Sequence, residues 1–314
     1  MTELDLDELR RRLAAAGVAD LAPLAGGASS LTFSGARDGR AVVIKVAPPG
    51  VEPVAHRDVL RQARIMKALA GSRVPVPEVL WEDAGSPPLF VMSRVGGDCV
   101  EPLFDGCPPV VDLAARYRNA CRAMAALHRV SPVDLGLGDE PVMEPVAEVR
   151  RWSHTLQTVD AALVPGWPRV RDALLASAPA AMDPSVIHGD FRLGNLLAAG
   201  AGINAVIDWE IWAIGDPRID VGWFLINCDP DTYRRVPASG MVPPTAELAE
   251  IYQRELGCRV GDLGWFTALA CFKSAATWSL IVKHNRRRRS PRAELEAMTP
   301  SLPRLLERAR SLLD

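Results

Sequence analysis

Lysine is scarce in this chain: of 36 basic residues only four, at positions 45, 67, 273 and 283, are lysine, and the rest are arginine. A lysine inside an apolar segment therefore departs from the chain's general choice of positive charge. Cysteine is sparse too, with six residues (99, 107, 121, 228, 258 and 271) and no C-x-x-C spacing. That argues for reduced packing residues instead of a zinc site or disulfide framework. A net charge of −2 gives no reason to expect nucleic acid as an obligate partner. The opening MTELDLDELRRRLAAAG is acidic, then basic, and lacks a signal peptide's apolar core; no run reads as long enough to span a membrane. A cytoplasmic protein without a membrane partner is the expectation. G-x-S-x-G, H-E-x-x-H, G-x-G-x-x-G and the Walker-type G-x-x-x-x-G-K-[ST] are all absent, which removes the commonest hydrolase, zinc-protease, dinucleotide and P-loop readings. Internal repeats and long low-complexity segments are absent as well. What remains, 314 residues at 48% hydrophobic content, can bury substantial cores in about two domains.

The chemistry concentrates in VIHGDFRLGNLLAAGAGINAVIDWE, residues 186 to 210, which holds His188, Asp190, Asn195 and Asp208. Val186 and Ile187 end an apolar run, Gly189 permits a tight backbone, and Leu196 and Leu197 resume apolar character, so the polar cluster reads as a loop between buried segments. Ala205, Val206 and Ile207 read as another strand, with Asp208 at its end. Phosphoryl transfer needs a carboxylate facing the acceptor hydroxyl and oxygen ligands that hold magnesium against the nucleotide phosphates. Asp190 fits the first role and Asn195 and Asp208 the second, since magnesium takes few protein oxygens. The block GDPRIDVGWF follows, with Asp216, Pro217 and Asp220.

His-Gly-Asp, four residues, Asn, then Asp after a hydrophobic strand resembles the central motif of the aminoglycoside phosphotransferase family, the small-molecule branch of the protein-kinase-like fold. The resemblance implies an α+β, two-lobed architecture: an N-terminal antiparallel sheet with one helix over residues 1–95, and a larger, mainly helical lobe over 96–314. It implies ATP and Mg2+ as cofactors and a small-molecule hydroxyl as partner, and leaves the oligomeric state open. Asp190 would be the catalytic base, Asn195 and Asp208 would hold magnesium, and Asp220 would brace the catalytic loop.

The same resemblance assigns roles upstream. In AVVIKVAPP, Lys45 sits within an apolar strand; it pairs with nucleotide phosphates in the family, or else snorkels from a strand end. LAGGASSLTF is a glycine and serine turn whose Ser29 and Ser30 are the candidate phosphate contacts. The next helix carries the apolar stripe Val59, Ala63, Met66 and Leu69, and Gln62 where the family has a glutamate paired with the lysine. Glutamine supplies no charge, so the pair is weakened or another carboxylate substitutes; Asp58, one turn earlier, could reach. In LFVMSRVGG, Met92 packs on the base or in the core, and main-chain groups from Ser93 to Val95 are the expected adenine contacts. Leu113, Tyr117, Ala120, Met124 and Leu127 form the stripe of a long helix beneath the catalytic loop, with His128 after them.

Arg192 occupies the place where protein kinases keep a lysine that steadies the phosphoryl group; it acts there or stands at the surface. His128 and His188 read as structural. From Ile226 onward there are ten acidic and fourteen basic residues, a net of +4 and the wrong sign for a polycationic acceptor. The run RRRR at 286 to 289 supplies much of this excess, as a solvated helix end or as part of an anionic acceptor site. Trp209, Trp212 and Trp223 line an acceptor wall or the core. LAGGASSLTF and GDPRIDVGWF also look like kinase-like domains associated with acyl-CoA metabolism. The expected function is a small-molecule hydroxyl kinase for a neutral or anionic acceptor such as a hydroxyacyl-CoA. Alternatives are an aminoglycoside kinase and a non-catalytic nucleotide-binding module.

Overall fold

The computed structural model describes residues 4–24, 30–101, 112–233 and 242–314. In chain order the first elements are α1 (Leu6–Ala15), β1 (Val18–Pro23), β2 (Leu31–Arg37), β3 (Arg40–Val46), α2 (Val59–Leu69), β4 (Val79–Asp83) and β5 (Leu89–Ser93). Next come α3 (Leu113–His128), β6 (Val142–Met143), α4 (Pro145–Gln157), α5 (Trp167–Ala176) and β7 (Ser185–Ile187). A hairpin of β8 (Leu196–Ala199) and β9 (Gly202–Val206) is followed by β10 (Ala213–Gly215) and α6 (Arg218–Cys228). The chain closes with α7 (Pro230–Tyr233), α8 (Thr245–Leu256), α9 (Leu263–Arg286), α10 (Ala293–Glu296) and α11 (Ser301–Ser311). Two compact units result: Met1–Cys99 with Asn195–Trp212, and Val100–Gly194 with Ala213–Asp314.

The first unit is built on an antiparallel sheet in the order β1-β2-β3-β5-β4. Strand alternation sends Val42, Ile44 and Val46 of β3 to one face, where they join Leu9 and Leu13 of α1 and Val91 of β5 in a buried cluster. Lys45 therefore points to the other face. Asp58 caps α2 by accepting from the N–H groups of Leu60 and Arg61 at 3.0 and 3.1 Å, so it is the helix start and not the substitute partner for Lys45. The stripe residues of α2 are buried, and so is Gln62. The β8–β9 hairpin joins this unit through a bridge between Asp98 and Ala198 and a bond from Val206 N–H to the Pro75 carbonyl at 2.8 Å.

In the second unit β10 lies between β6 and β7, and α9 packs against α6, α11 and α4. Every residue of α6 is buried. At Gly222 an added Cβ would lie 2.3 Å from the Phe266 carbonyl oxygen, so glycine is what lets α6 and α9 approach this closely. Against the expectation from sequence, one helix among the described residues, α9, is long and apolar enough to cross a membrane: 24 residues, with a best window of mean hydropathy 1.3. That window is 72% buried inside the protein, the pattern of a core helix. Of the described cysteines, Cys121, Cys228 and Cys271 are buried, Cys99 and Cys258 are exposed, and all five are free; Cys107 lies outside the described residues.

Candidate active site

In the first unit the polar residues gather around Lys45. Its Nζ donates to Asp208 Oδ1 at 2.8 Å and to Gln62 Oε1 at 3.2 Å, and lies 3.9 Å from Glu210 Oε1. The lysine is thus held by carboxylates from beyond β9 as well as by the glutamine of α2, and a charge partner exists where Gln62 supplies none. Gln62 Nε2 is buried without a hydrogen-bond partner, the cost of an amide where an acceptor-only group would be satisfied. Asp208 has φ +69°, a left-handed backbone that non-glycine residues rarely adopt. At the open end of the β8–β9 hairpin, Ile207 N–H donates to the Asn195 carbonyl at 3.0 Å, which brings Asn195 and Asp208 to the same end. These two provide an amide oxygen and a carboxylate, the hard donors magnesium prefers.

The remaining predicted nucleotide contacts are placed unevenly. Ser30 precedes β2, is 5% exposed, and its hydroxyl has no protein partner, an orphaned polar atom of the kind a phosphate oxygen would satisfy. Ser29 lies outside the described residues. Met92 is a buried strand residue in register with Val43 and Val79. Ser93 already has its N–H on the Glu78 carbonyl at 2.8 Å and its hydroxyl on Glu78 N–H at 2.9 Å, and Arg94 N–H is on the Ala41 carbonyl at 3.1 Å. Both N–H groups are thereby engaged within the protein; Val95 follows just past β5. Trp209 and Trp212 are each 1% exposed. Trp212 is clamped to α2, donating to the Arg61 carbonyl at 3.1 Å with the Arg61 guanidinium 4.0 Å over its ring, so these two indoles pack and do not line a wall.

In the second unit the loop after β7 carries Asp190 and is anchored from behind. Asp220 of α6, fully buried, accepts from His188 N–H at 2.6 Å and Gly189 N–H at 2.8 Å, and lies 3.3 Å from His128 Nε2. Burial opposes its charge most strongly, but the bonds from His128 and the loop N–H groups outweigh it and hold the carboxyl below its ordinary pKa. His128 also meets the Tyr252 hydroxyl at 2.8 Å. His188 Nδ1 accepts from Asp190 N–H at 3.1 Å, so both histidines are structural.

Asp190 is a quarter exposed and oriented by two donors: Trp223 Nε1–H at 2.7 Å to Oδ1, and Arg192 Nε–H at 3.2 Å to each oxygen. Arg192 also donates to Glu101, so its guanidinium bridges two carboxylates. Burial lowers the Arg192 pKa, but Asp190 and Glu101 more than offset this and leave it raised. The run at 286 to 289 ends α9 in solvent, with Arg286 on Glu296, and contributes no interior charge.

Glu210, Glu101 and Lys273 were not singled out from the sequence. Glu210 follows Asp208 by two positions and was visible as a second carboxylate. The scarcity of lysine that marked Lys45 applies equally to Lys273, which donates to the Gly189 carbonyl from inside α9. Nothing in the local pattern marks Glu101.

The arrangement, a lysine-bearing strand in an antiparallel sheet and a helical unit presenting a braced Asp loop, is that of the protein-kinase-like fold of aminoglycoside phosphotransferases. A structure from Ralstonia eutropha, provisionally named an aminoglycoside phosphotransferase, superposes with TM-score 0.80 at 23% identity, covering 99% of this chain and 98% of that one. A thermostable mutant of aminoglycoside phosphotransferase APH(4)-Ia, solved in a ternary complex with ADP and hygromycin B, superposes with TM-score 0.65 at 18% identity, covering 95% and 97%. The family model described as "Phosphotransferase enzyme family" matches residues 20–267, and the chain belongs to that family. Among curated proteins it is 32% identical over 199 residues to acyl-CoA dehydrogenase family member 10 of Mus musculus, covering 59% of this chain and 18% of that protein. It is 27% identical over 269 residues to family member 11 of Pongo abelii, covering 79% and 34%. The chain thus spans about a third or less of the length of these relatives.

Proposed function

We propose that the chain is an ATP- and magnesium-dependent kinase of a small-molecule hydroxyl, with a neutral or anionic acceptor such as a hydroxyacyl-CoA. The observation that carries this reading is Asp190: a partly exposed carboxylate, aimed by Trp223 and Arg192, on a loop pinned by a buried charged group. The acceptor oxygen attacks the γ-phosphorus, the bond to the β,γ-bridging oxygen breaks, ADP departs, and the hydroxyl proton passes to Asp190. Trp223 and Arg192 fix where the carboxylate points, and in a loose transition state the proton passes late, after bond breaking has advanced. Lys45 and the Ser30 hydroxyl would bind nucleotide phosphates, while Asn195 and Asp208 would hold magnesium, whose charge offsets that of the phosphates. Arg192, bridged to Glu101, fixes Asp190 and offers positive charge beside it.

Two observations bear on the acceptor. With the solvent-facing run at 286 to 289 set aside, ten acidic and ten basic residues remain from Ile226 onward, so there is no carboxylate excess for a polycation. The curated relatives are named for acyl-CoA dehydrogenases. The second reading, an aminoglycoside kinase, is favoured by the structural neighbour holding hygromycin B. Calorimetry of magnesium-dependent ATP binding, with wild type and Asp208→Ala, followed by ADP release over hydroxyacyl-CoA and aminoglycoside panels, tests both. Binding lost in the variant and turnover of an acyl-CoA supports the first reading; turnover of an aminoglycoside, abolished by Asp190→Ala, establishes the second. No magnesium-dependent binding removes both.

A further inference from the structure

Lys273 lies in the middle of α9, 5% exposed, in a helix whose neighbouring residues are mostly apolar. Its Nζ stands 4.1 Å from the centre of the Trp223 ring and 5.7 Å from that of Trp152, and it donates to the Gly189 carbonyl. The charged groups nearest in influence are Glu148 and Arg151 of α4, Asp190 of the loop and Asp220 of α6. Burying an ammonium is costly, and a side chain needed only to fill space would be neutral. Here the cation has two specific partners instead. The peptide joining Gly189 to Asp190 is held at both edges, its carbonyl by Lys273 and its N–H by His188 Nδ1 at 3.1 Å. The indole beneath the ammonium is the one whose N–H holds Asp190 at 2.7 Å.

We infer that Lys273 is a positioning residue for phosphoryl transfer: by joining the Gly189 carbonyl to the face of Trp223, its ammonium sets the angle at which the loop and the indole present Asp190. The inference rests on Asp190 acting as the base. Lys273 touches no reacting atom; its effect passes through Trp223 and one peptide plane. Burial draws its pKa below the ordinary 10.5, against the pull of Glu148, Asp190 and Asp220, so the clamp is released at lower pH than an exposed lysine would titrate.

The test combines kinetics with a spectroscopic readout that needs no turnover. Lys273→Met should lower kcat by about 10²-fold with the KM for ATP changed less than about twofold, since misplacement of a catalytic group costs rate more than binding. Trp223→Phe, which keeps a ring but removes the donor, should give a similar loss. The double variant should be no worse than about twofold below the poorer single one, because residues acting as one unit are not additive. In parallel, the indole N–H resonance of Trp223, identified by its absence in Trp223→Phe, is followed by NMR with rising pH. In the wild type it should shift as Lys273 loses its proton, and in Lys273→Met it should be displaced and flat.

A Trp223 resonance that ignores both pH and the lysine, unchanged kcat in Lys273→Met, or additive losses in the double variant would each overturn the inference. Where Lys273→Met does not fold, the wild-type titration alone decides. Should the wild type turn over no acceptor, the kinase reading fails by itself and the resonance still judges the clamp.

Discussion

Asp190 and Gln62 show how much of a site is carried by individual atoms. Asp190→Asn keeps the acceptor for Trp223 but cannot take a proton, so ADP release should fall by about 10² to 10⁴-fold while calorimetry finds ATP affinity little changed. Gln62→Glu should have the opposite sense. It replaces an orphaned buried Nε2 with an oxygen and turns the 3.2 Å bond from the Lys45 ammonium into an ion pair. The expected gain is about 1 kcal/mol in urea unfolding, because the unsatisfied donor disappears. A loss would mean that Asp208 and Glu210 already saturate Lys45 and that a third carboxylate is repelled.

At the scale of elements, two predictions concern what places these atoms. Asp58 caps α2, the helix that carries Gln62 toward Lys45; Asp58→Ala should cost about 1 kcal/mol, read from the urea midpoint, through loss of the cap. Gly222→Ala should be worse, by about 3 kcal/mol, because its methyl would meet the backbone of Phe266 and force α6 from α9. Since α6 carries both Asp220 and Trp223, that variant should also lose ADP release beyond what its unfolded fraction explains. The elements themselves were largely legible. The stripe from Leu113 to Leu127 became α3, buried as expected, and alternation in β3 put Lys45 opposite Ile44. One turn from Gln62, Asp58 has the spacing of a substitute partner for Lys45, but the competing demand of a helix N-terminus for an acceptor takes it.

For the whole molecule, stability should depend on pH through Asp220. Its folded pKa lies below the ordinary 3.8, so its contribution is fully present above that pH and is lost as pH falls through the lower folded value. Acid unfolding followed by circular dichroism should show this limb in wild type and a flatter one in Asp220→Asn, which should also be less stable at neutral pH by about 3 kcal/mol. Lys273 acts with the same sign in a higher pH window. Its folded pKa is depressed, so the unfolded chain binds the proton more tightly and stability should rise with pH toward 10.5.

The sequence by itself determined the family, the local placement of the Asp190 loop, the strand bearing Lys45, and which helix faces are apolar. The family follows from the resemblance of its motifs, and the rest is set by periodicity and short-range spacing, which report the face a residue occupies. They do not report the partner it meets. Only the tertiary structure paired Lys45 with Asp208, 163 positions away, and Lys273 with Gly189, 84 positions away. It also decided that α9, apolar enough for a membrane, is a core helix, because burial depends on what packs against a face as well as on the face's composition. A buried charge is stable only with the partners that the fold brings from elsewhere in the chain, and that is why the site's electrostatics could be read only once the fold was known.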